Sequence, residues 1–247
     1  KTSTVIGKVL WQLGLDVGAP REDGAPIPAC AVPCELAEIA AITFTEKGAA
    51  DLKTQLRSAI EHSARASELR WQIDRAYIGT IHGFCKRLLR ENALRFGIEP
   101  NFGVLSEAEC IDQQEKLIED VVLRSLKRRE KQTENLLLGG MKLRRVGAYD
   151  AGVVEHVRHA LYDLRWRTAS YDNWSANDAL NHEYLRTLSP AFDDQDEVSL
   201  DQCSALFILA KRSLRRWHEH LEARNLRDFD SLILDLRSRL RSPEGPV

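Results

Sequence analysis

At 247 residues, with 43% hydrophobic and 29% charged, the chain has room for one large domain or two small ones and the composition of an ordinary globular protein. Its net charge of −2 argues against a module that holds nucleic acid by diffuse positive charge, and no apolar run approaches the roughly 18 residues of a membrane helix. Five scattered cysteines, of which only Cys30 and Cys34 lie close together, read as reduced cytoplasmic thiols rather than a disulfide framework or a metal site. In chain order, residues 3–15 read as a helix with Val5, Val9 and Leu13 on one face. Gly18 to Cys34 holds Pro20, Pro26, Pro28 and Pro33 without periodicity, which is a loop signal. Leu36–Phe44 is nearly all apolar, the pattern of a parallel strand buried on both faces. A helix from Glu46 to about His62 carries Ala49, Leu52, Leu56 and Ile60 on one side. A strand over Tyr77–Ile81 gives way to a helix over Phe84–Phe96, with Ile81, Phe84, Cys85, Leu88, Leu89 and Ala93 as its apolar stripe and Gly97 and Pro100 as terminators.

After Leu105 the pattern changes. Ser106-Glu107-Ala108-Glu109 is a capping box that opens a helix with Cys110, Ile111, Leu117, Ile118, Val121 and Val122 inward. From there to about Glu222 only helices and loops are predicted, among them Val153–Leu164 and Cys203 to about Arg224; a last helix follows from Phe229 to Leu240. Arg124, Lys127, Arg128, Arg129, Lys131, Lys142, Arg144 and Arg145 cluster in this region, either as a solvated helix face or as a surface that guides a nucleic-acid strand or duplex. The stretch Asp193-Asp194-Gln195-Asp196-Glu197 is too irregular for a calcium loop and reads as an exposed linker.

Two segments carry the chemistry. Thr43-Phe44-Thr45 closes one predicted strand, and Thr80-Ile81-His82-Gly83-Phe84 closes the other. In an open α/β sheet, ligands collect outside the carboxyl ends of the strands. Hydroxyls and helix N-terminal amides there suit phosphates, and exposed aromatic rings suit stacked bases. Each residue also has a plain reading: threonines are ordinary strand formers, a lone histidine such as His82 is usually a hydrogen-bonded core residue, and Phe84 lies on an apolar stripe.

The segments Thr43-Phe44-Thr45-Glu46-Lys47-Gly48-Ala49-Ala50-Asp51-Leu52 and Thr80-Ile81-His82-Gly83-Phe84-Cys85 resemble, in order, motifs of superfamily 1 DNA helicases of the UvrD and RecB/AddA type. Pro100-Asn101-Phe102-Gly103-Val104-Leu105 and Asp228-Phe229-Asp230-Ser231-Leu232 continue the likeness. Gly48 stands where the family usually has alanine, loosening the first helical turn by up to about 1 kcal/mol; Gly83 stands for a usual serine and Ser231 for a common aspartate. The Asp228–Leu232 segment is read as structural only.

The resemblance implies an α/β RecA-like (P-loop NTPase) ATPase domain, incomplete in this sequence, with an inserted all-helical subdomain. Residues 1–105 would be its first part, 106–222 the insertion and 223–247 the return to the ATPase domain. Lys1-Thr2 resembles the end of the phosphate-binding motif, so the sequence is expected to be an internal piece running from that motif to just before the acidic metal-binding strand. Lys1 would neutralise the β/γ-phosphates of ATP as the catalytic lysine, and the Thr2 hydroxyl would ligate Mg²⁺. Thr43, Phe44, Thr45, Thr80, His82 and Phe84 would contact DNA. The implied activity is ATP-dependent, single-strand-tracking DNA unwinding in the cytoplasm, leaning towards the RecB/AddA branch that couples unwinding to a nuclease in double-strand break repair. Its partners would be single- and double-stranded DNA and a nuclease or second helicase–nuclease subunit, with no membrane. A stand-alone UvrD-type repair helicase and a non-enzymatic helical adaptor are the alternatives. The piece by itself is expected to be inactive in hydrolysis.

Overall fold

A computed structural model describes residues 2–15, 30–61, 63, 65–147, 151–167 and 197–241. Lys1, the loop read over Gly18–Cys34 as far as residue 29, and residues 193–196 of the acidic stretch lie outside them. The chain forms two compact units, Lys1–Pro100 with Asp235–Val247, and Asn101–Leu234.

In the first unit, α1 (Thr2–Gln12) buries Ile6, Val9 and Leu10. Val5, expected on the inner face, is 44% exposed, because the buried positions are spaced three and four apart from Ile6 onwards. The predicted strand Leu36–Phe44 is shorter than expected. Leu36–Glu38 is a 3₁₀ turn and only Ala40–Thr43 is strand β1. The cause is local: the Glu35 amide donates to the Glu38 carboxylate at 2.8 Å, and Ala and Glu favour strands little. Burial on both faces does not hold either, since of β1 only Ala41 is buried and Ile42 is 48% exposed.

Helix α2 (Glu46–Glu61) buries Ala49, Leu52, Leu56 and Ile60, the predicted face. After α3 (Ala66–Gln72), strand β2 (Tyr77–Thr80) pairs in parallel with β1. Helix α4 (Ile81–Glu91) starts three residues before the predicted Phe84, because the Thr80 hydroxyl accepts a hydrogen bond from the Gly83 amide and caps it. The predicted continuous helix to Phe96 breaks at Asn92, whose side-chain amide donates to the Leu88 carbonyl at 3.0 Å. The short α5 (Ala93–Phe96) then ends at Gly97 in the left-handed conformation, φ 63°. The unit's core gathers Leu13, Leu36, Leu56, Ile60, Leu69 and Ile73.

The second unit opens with β3 (Gly103–Val104), which pairs in parallel with β4 (Leu226–Arg227). Between them lie α6 (Glu107–Lys127), α7 (Lys131–Leu138), α8 (Val153–Arg167) and α9 (Glu197–Ala223); no strand occurs among the described residues of 106–222. The predicted capping box is formed: the Ser106 hydroxyl accepts from the Glu109 amide, and the Glu109 carboxylate accepts from the Ser106 amide at 2.9 Å. Helices α6, α8 and α9 share a core that includes Ile118, Val122, Val157, Leu161, Leu209 and Ala210. Helix α10 (Phe229–Arg241) follows β4. The compact units divide at residues 100/101 and 234/235. The second unit includes the β3–β4 pair and a buried ion pair at the start of α10.

That ion pair is the polar centre of the second unit. The Arg165 guanidinium grips the Asp228 carboxylate in a two-pronged contact at 2.7 and 2.8 Å. The Trp217 indole N–H donates to the same carboxylate at 2.8 Å, and the Ser231 amide and hydroxyl donate to it at 2.8 and 2.6 Å. Asp228 thus caps α10 while its charge is met by Arg165. Burial pushes the Asp228 carboxyl pKa up, but the Arg165 and Ser231 contacts outweigh burial and hold it well below the usual carboxylate range. The structural reading of this segment agrees with the geometry. A second aspartate in place of Ser231 would set another carboxylate against Asp228, whereas the serine hydroxyl both donates to Asp228 and accepts from Arg165.

His218 lies beside this pair. Burial, and then the Arg165 charge, push its pKa down to about 4, against the opposing pull of Asp228. The unfolded chain, with a histidine pKa near 6.5, therefore binds the proton more readily between about pH 6.5 and 4. Stability contributed by neutral His218 is complete above about pH 6.5 and is lost as pH falls towards 4, by on the order of 2–3 kcal/mol. Asp228 adds a loss only below about pH 3.9. Urea unfolding across this range should show the first decline, and His218→Gln should flatten it between about pH 6.5 and 4.

Candidate nucleic-acid interface

The two threonine motifs meet at one rim. In the parallel register of β1 and β2, Thr43 is the direct partner of Thr80, so both motifs lie at the carboxyl ends of adjacent strands. Each strand then turns straight into a helix capped by a threonine: the Thr45 hydroxyl accepts from the Gly48 amide at 3.0 Å in α2, and the Thr80 hydroxyl accepts from the Gly83 amide at 3.1 Å in α4. Two helix N-termini, with their partial positive charge, start from the same rim.

Phe44, between the two threonines of the first motif, is 98% exposed. A phenyl ring held in solvent at a strand end loses hydrophobic stabilisation unless something covers it, and its free face suits a stacked base. Gly48 has a role beyond loosening its turn. A Cβ there would lie 2.9 Å from Thr43 Oγ1 and 3.0 Å from Thr45 Oγ1, so glycine lets the first turn of α2 close against both hydroxyls.

Two predicted contacts sit differently. Thr80 is buried, and its hydroxyl donates to the Glu46 carboxylate at 2.9 Å. Its one donor proton is committed, so a phosphate that takes a bond from Thr80 must displace Glu46. Phe84 is half-buried and packs edge to face on Tyr77, with ring centroids 5.7 Å apart. Tyr77 is itself covered by the Arg87 guanidinium 4.2 Å from its centroid and donates its hydroxyl to Glu91 at 2.5 Å. Phe84 thus belongs to an aromatic packing cluster. His82 lies half-buried in the first turn of α4, and Thr2 is exposed in the first turn of α1. Sequence reading missed Glu46, although a carboxylate directly after a capping threonine was a visible signal. It also missed the Arg165–Asp228 pair, whose partners lie 63 residues apart.

The family model for the UvrD/REP helicase N-terminal domain matches residues 1–245. The chain belongs to this family. Membership implies a P-loop NTPase-like fold, and the short parallel β1–β2 pair with helices leaving its carboxyl end is consistent with part of one. Among curated relatives, an ATP-dependent helicase/nuclease subunit of Lysinibacillus sphaericus is 25% identical across 87% of this chain and 16% of that protein. The protein of the same name from Geobacillus kaustophilus is 23% identical over 98% of this chain and 19% of its own length. That from Exiguobacterium sibiricum is 37% identical over 32% of this chain and 7% of its own. The chain spans less than a fifth of the length of each of these relatives. No helix among the described residues is long and apolar enough to cross a membrane.

Proposed function

We propose that this chain is the N-terminal motor segment of an ATP-dependent DNA helicase, of the kind found in helicase/nuclease enzymes, that tracks along single-stranded DNA. The observation that carries the reading is the Thr43–Thr80 pairing at one rim, with Phe44 exposed beside it. Family membership and the names of the relatives supply the activity. On this reading residues 1–105 and 223–247 are parts of an incomplete RecA-like ATPase domain and residues 106–222 an inserted helical subdomain, joined in the cytoplasm by a nuclease or a second helicase–nuclease subunit.

Thr43, Phe44, Thr45 and His82 form the strand-contacting ledge, with Thr80 locking the two motifs through Glu46 and Phe84 supporting from the packing cluster. Thr2, placed in the first turn of α1, has its hydroxyl at a helix N-terminus, the position that suits a phosphate and its Mg²⁺. Lys1 precedes it as the phosphate-neutralising cation. Bound Mg·ATP would supply the free energy of movement; the residues named here would hold its phosphates and the strand. The 247 residues by themselves are proposed to be inactive in hydrolysis, because phosphoryl transfer also uses a Gly-rich loop, metal-binding carboxylates and arginines that stabilise the transition state.

The test is single-strand binding by the full-length protein. Base–aromatic stacking contributes roughly 1–3 kcal/mol, so Phe44→Ala should weaken oligonucleotide binding about tenfold, with Thr45→Ala and His82→Ala weakening it less. Nucleotide binding without DNA should be unchanged. Wild-type affinity for single strands in a folded Phe44→Ala/Thr45→Ala protein would exclude the ledge.

A further inference from the structure

Within the second unit, the last turns of α6, the start of α7 and one face of α9 frame an open cavity of about 290 Å³. Arg124, Arg128, Arg212, Arg215 and Arg216 line it, together with Glu130. Arg124 and Arg128 are one turn apart on α6 and its cap; Arg212, Arg215 and Arg216 share one side of α9. Residues spaced three and four apart on a helix are surface neighbours, and like charges there repel. Two helices that each present such a set to one concavity hold five guanidiniums together.

The carboxylates within reach do not balance them. Asp120 takes Arg216 at 2.5 Å and Arg124 at 2.9 Å. Glu130 takes Arg212, and also accepts from the Ser125 hydroxyl at 2.6 Å. The Ser125 hydroxyl in turn bonds Thr133 at 2.7 Å, so Glu130 is anchored from its far side. Arg128 and Arg215 are exposed, and their side chains have neither an ion pair nor a hydrogen bond among the described residues. Five guanidiniums against two carboxylates leave three positive charges in excess, on a chain whose net charge is −2. The neighbouring Lys211 feels the same field: burial, and then Arg215, push its pKa down.

We infer that this cavity binds phosphate groups. Guanidinium forks match tetrahedral oxyanions with paired hydrogen bonds, and Arg128 and Arg215 are the two forks whose donors are unspent. The phosphates come either from a nucleic-acid backbone or from a soluble oligophosphate. The nucleic-acid source rests on the helicase reading above; the phosphate chemistry of the pocket does not.

The experiment compares the full-length protein with Arg128→Ala/Arg215→Ala. Both side chains are exposed and unpaired, so the variant should keep the wild-type melting temperature. The first arm titrates a labelled blunt duplex over a series of salt concentrations. Each lost backbone phosphate contact removes about 0.9 from the slope of log affinity against log salt, so loss of two contacts should flatten it by about 1.8. The second arm measures inorganic tripolyphosphate binding by calorimetry in a Lys1→Ala background, which removes competition from the nucleotide site. A flattened slope without a tripolyphosphate difference assigns nucleic-acid phosphates, and a lost tripolyphosphate site with an unchanged slope assigns a soluble oligophosphate. No change in either arm overturns the inference. Phe44→Ala measured on single strands in parallel keeps the two readings separable, because its effect can survive when the arginine pair shows none.

Discussion

Replacing Asp228 by alanine is expected to destabilise the second unit by about 3–5 kcal/mol, the usual loss when one partner of a buried ion pair is removed. Asp228 is 3% exposed and Arg165 2% exposed, so the alanine would leave a guanidinium in the interior with only the longer 3.8 Å contact to the Asp230 carboxylate as counter-charge. The Trp217 indole and the Ser231 amide would lose their acceptor in the same step, and α10 its cap. The companion Arg165→Met/Asp228→Leu should recover a large part of the loss. Removing both charges also removes both desolvation penalties, and an apolar pair of similar volume is often neutral or better. Urea unfolding of the two variants is the measurement. A loss below about 1 kcal/mol for Asp228→Ala, within the range of ordinary substitutions, would show that the pair is not the centre of the unit.

Lys1→Ala in the full-length protein is expected to lower DNA-stimulated ATP turnover about 10²–10³-fold, the effect of removing one donor that stabilises charge in a transition state. The lysine's proposed work is at the β/γ-phosphates, so single-strand affinity measured without nucleotide should stay at the wild-type value. Phosphate release at saturating ATP reads the first quantity, and fluorescence anisotropy of a labelled oligonucleotide reads the second. Turnover within a few-fold of wild type would remove Lys1 from the nucleotide site. Equal loss of turnover and strand binding would point to a folding defect and leave the role unsupported.

Much of the local structure was legible because its causes are local. Ala49, Leu52, Leu56 and Ile60 recur at helical spacing and are the buried face of α2. Ser106 and Glu109 are three residues apart and form the capping box that this spacing suggests. The two threonine motifs announced a shared rim, since a parallel strand pair followed by helices brings its carboxyl ends together, and Thr43 faces Thr80 in register. Where the local reading failed, a side chain competed with the backbone pattern. Glu38 turned a predicted strand into a 3₁₀ turn, Thr80 moved a helix start, and Asn92 split a helix.

The two strands that end at the threonine motifs, the long helices and the residues at the rim could be read along the chain, because neighbours within about one helical turn govern them; α3, α7 and the β3–β4 pair could not. Partnerships between distant residues came from packing. Residues Arg124 to Arg145 formed one basic cluster along the chain, yet only Arg124 and Arg128 reach the arginine cavity, while Arg144 pairs with Glu119. The other three cavity arginines come from α9, about 90 residues later, where periodicity had pointed only to the buried side. Arg165 and Asp228 likewise became partners only because α8 and the start of α10 pack in one unit. Charge interactions act through space over a few ångströms, and linear spacing does not encode which charges folding brings within that range.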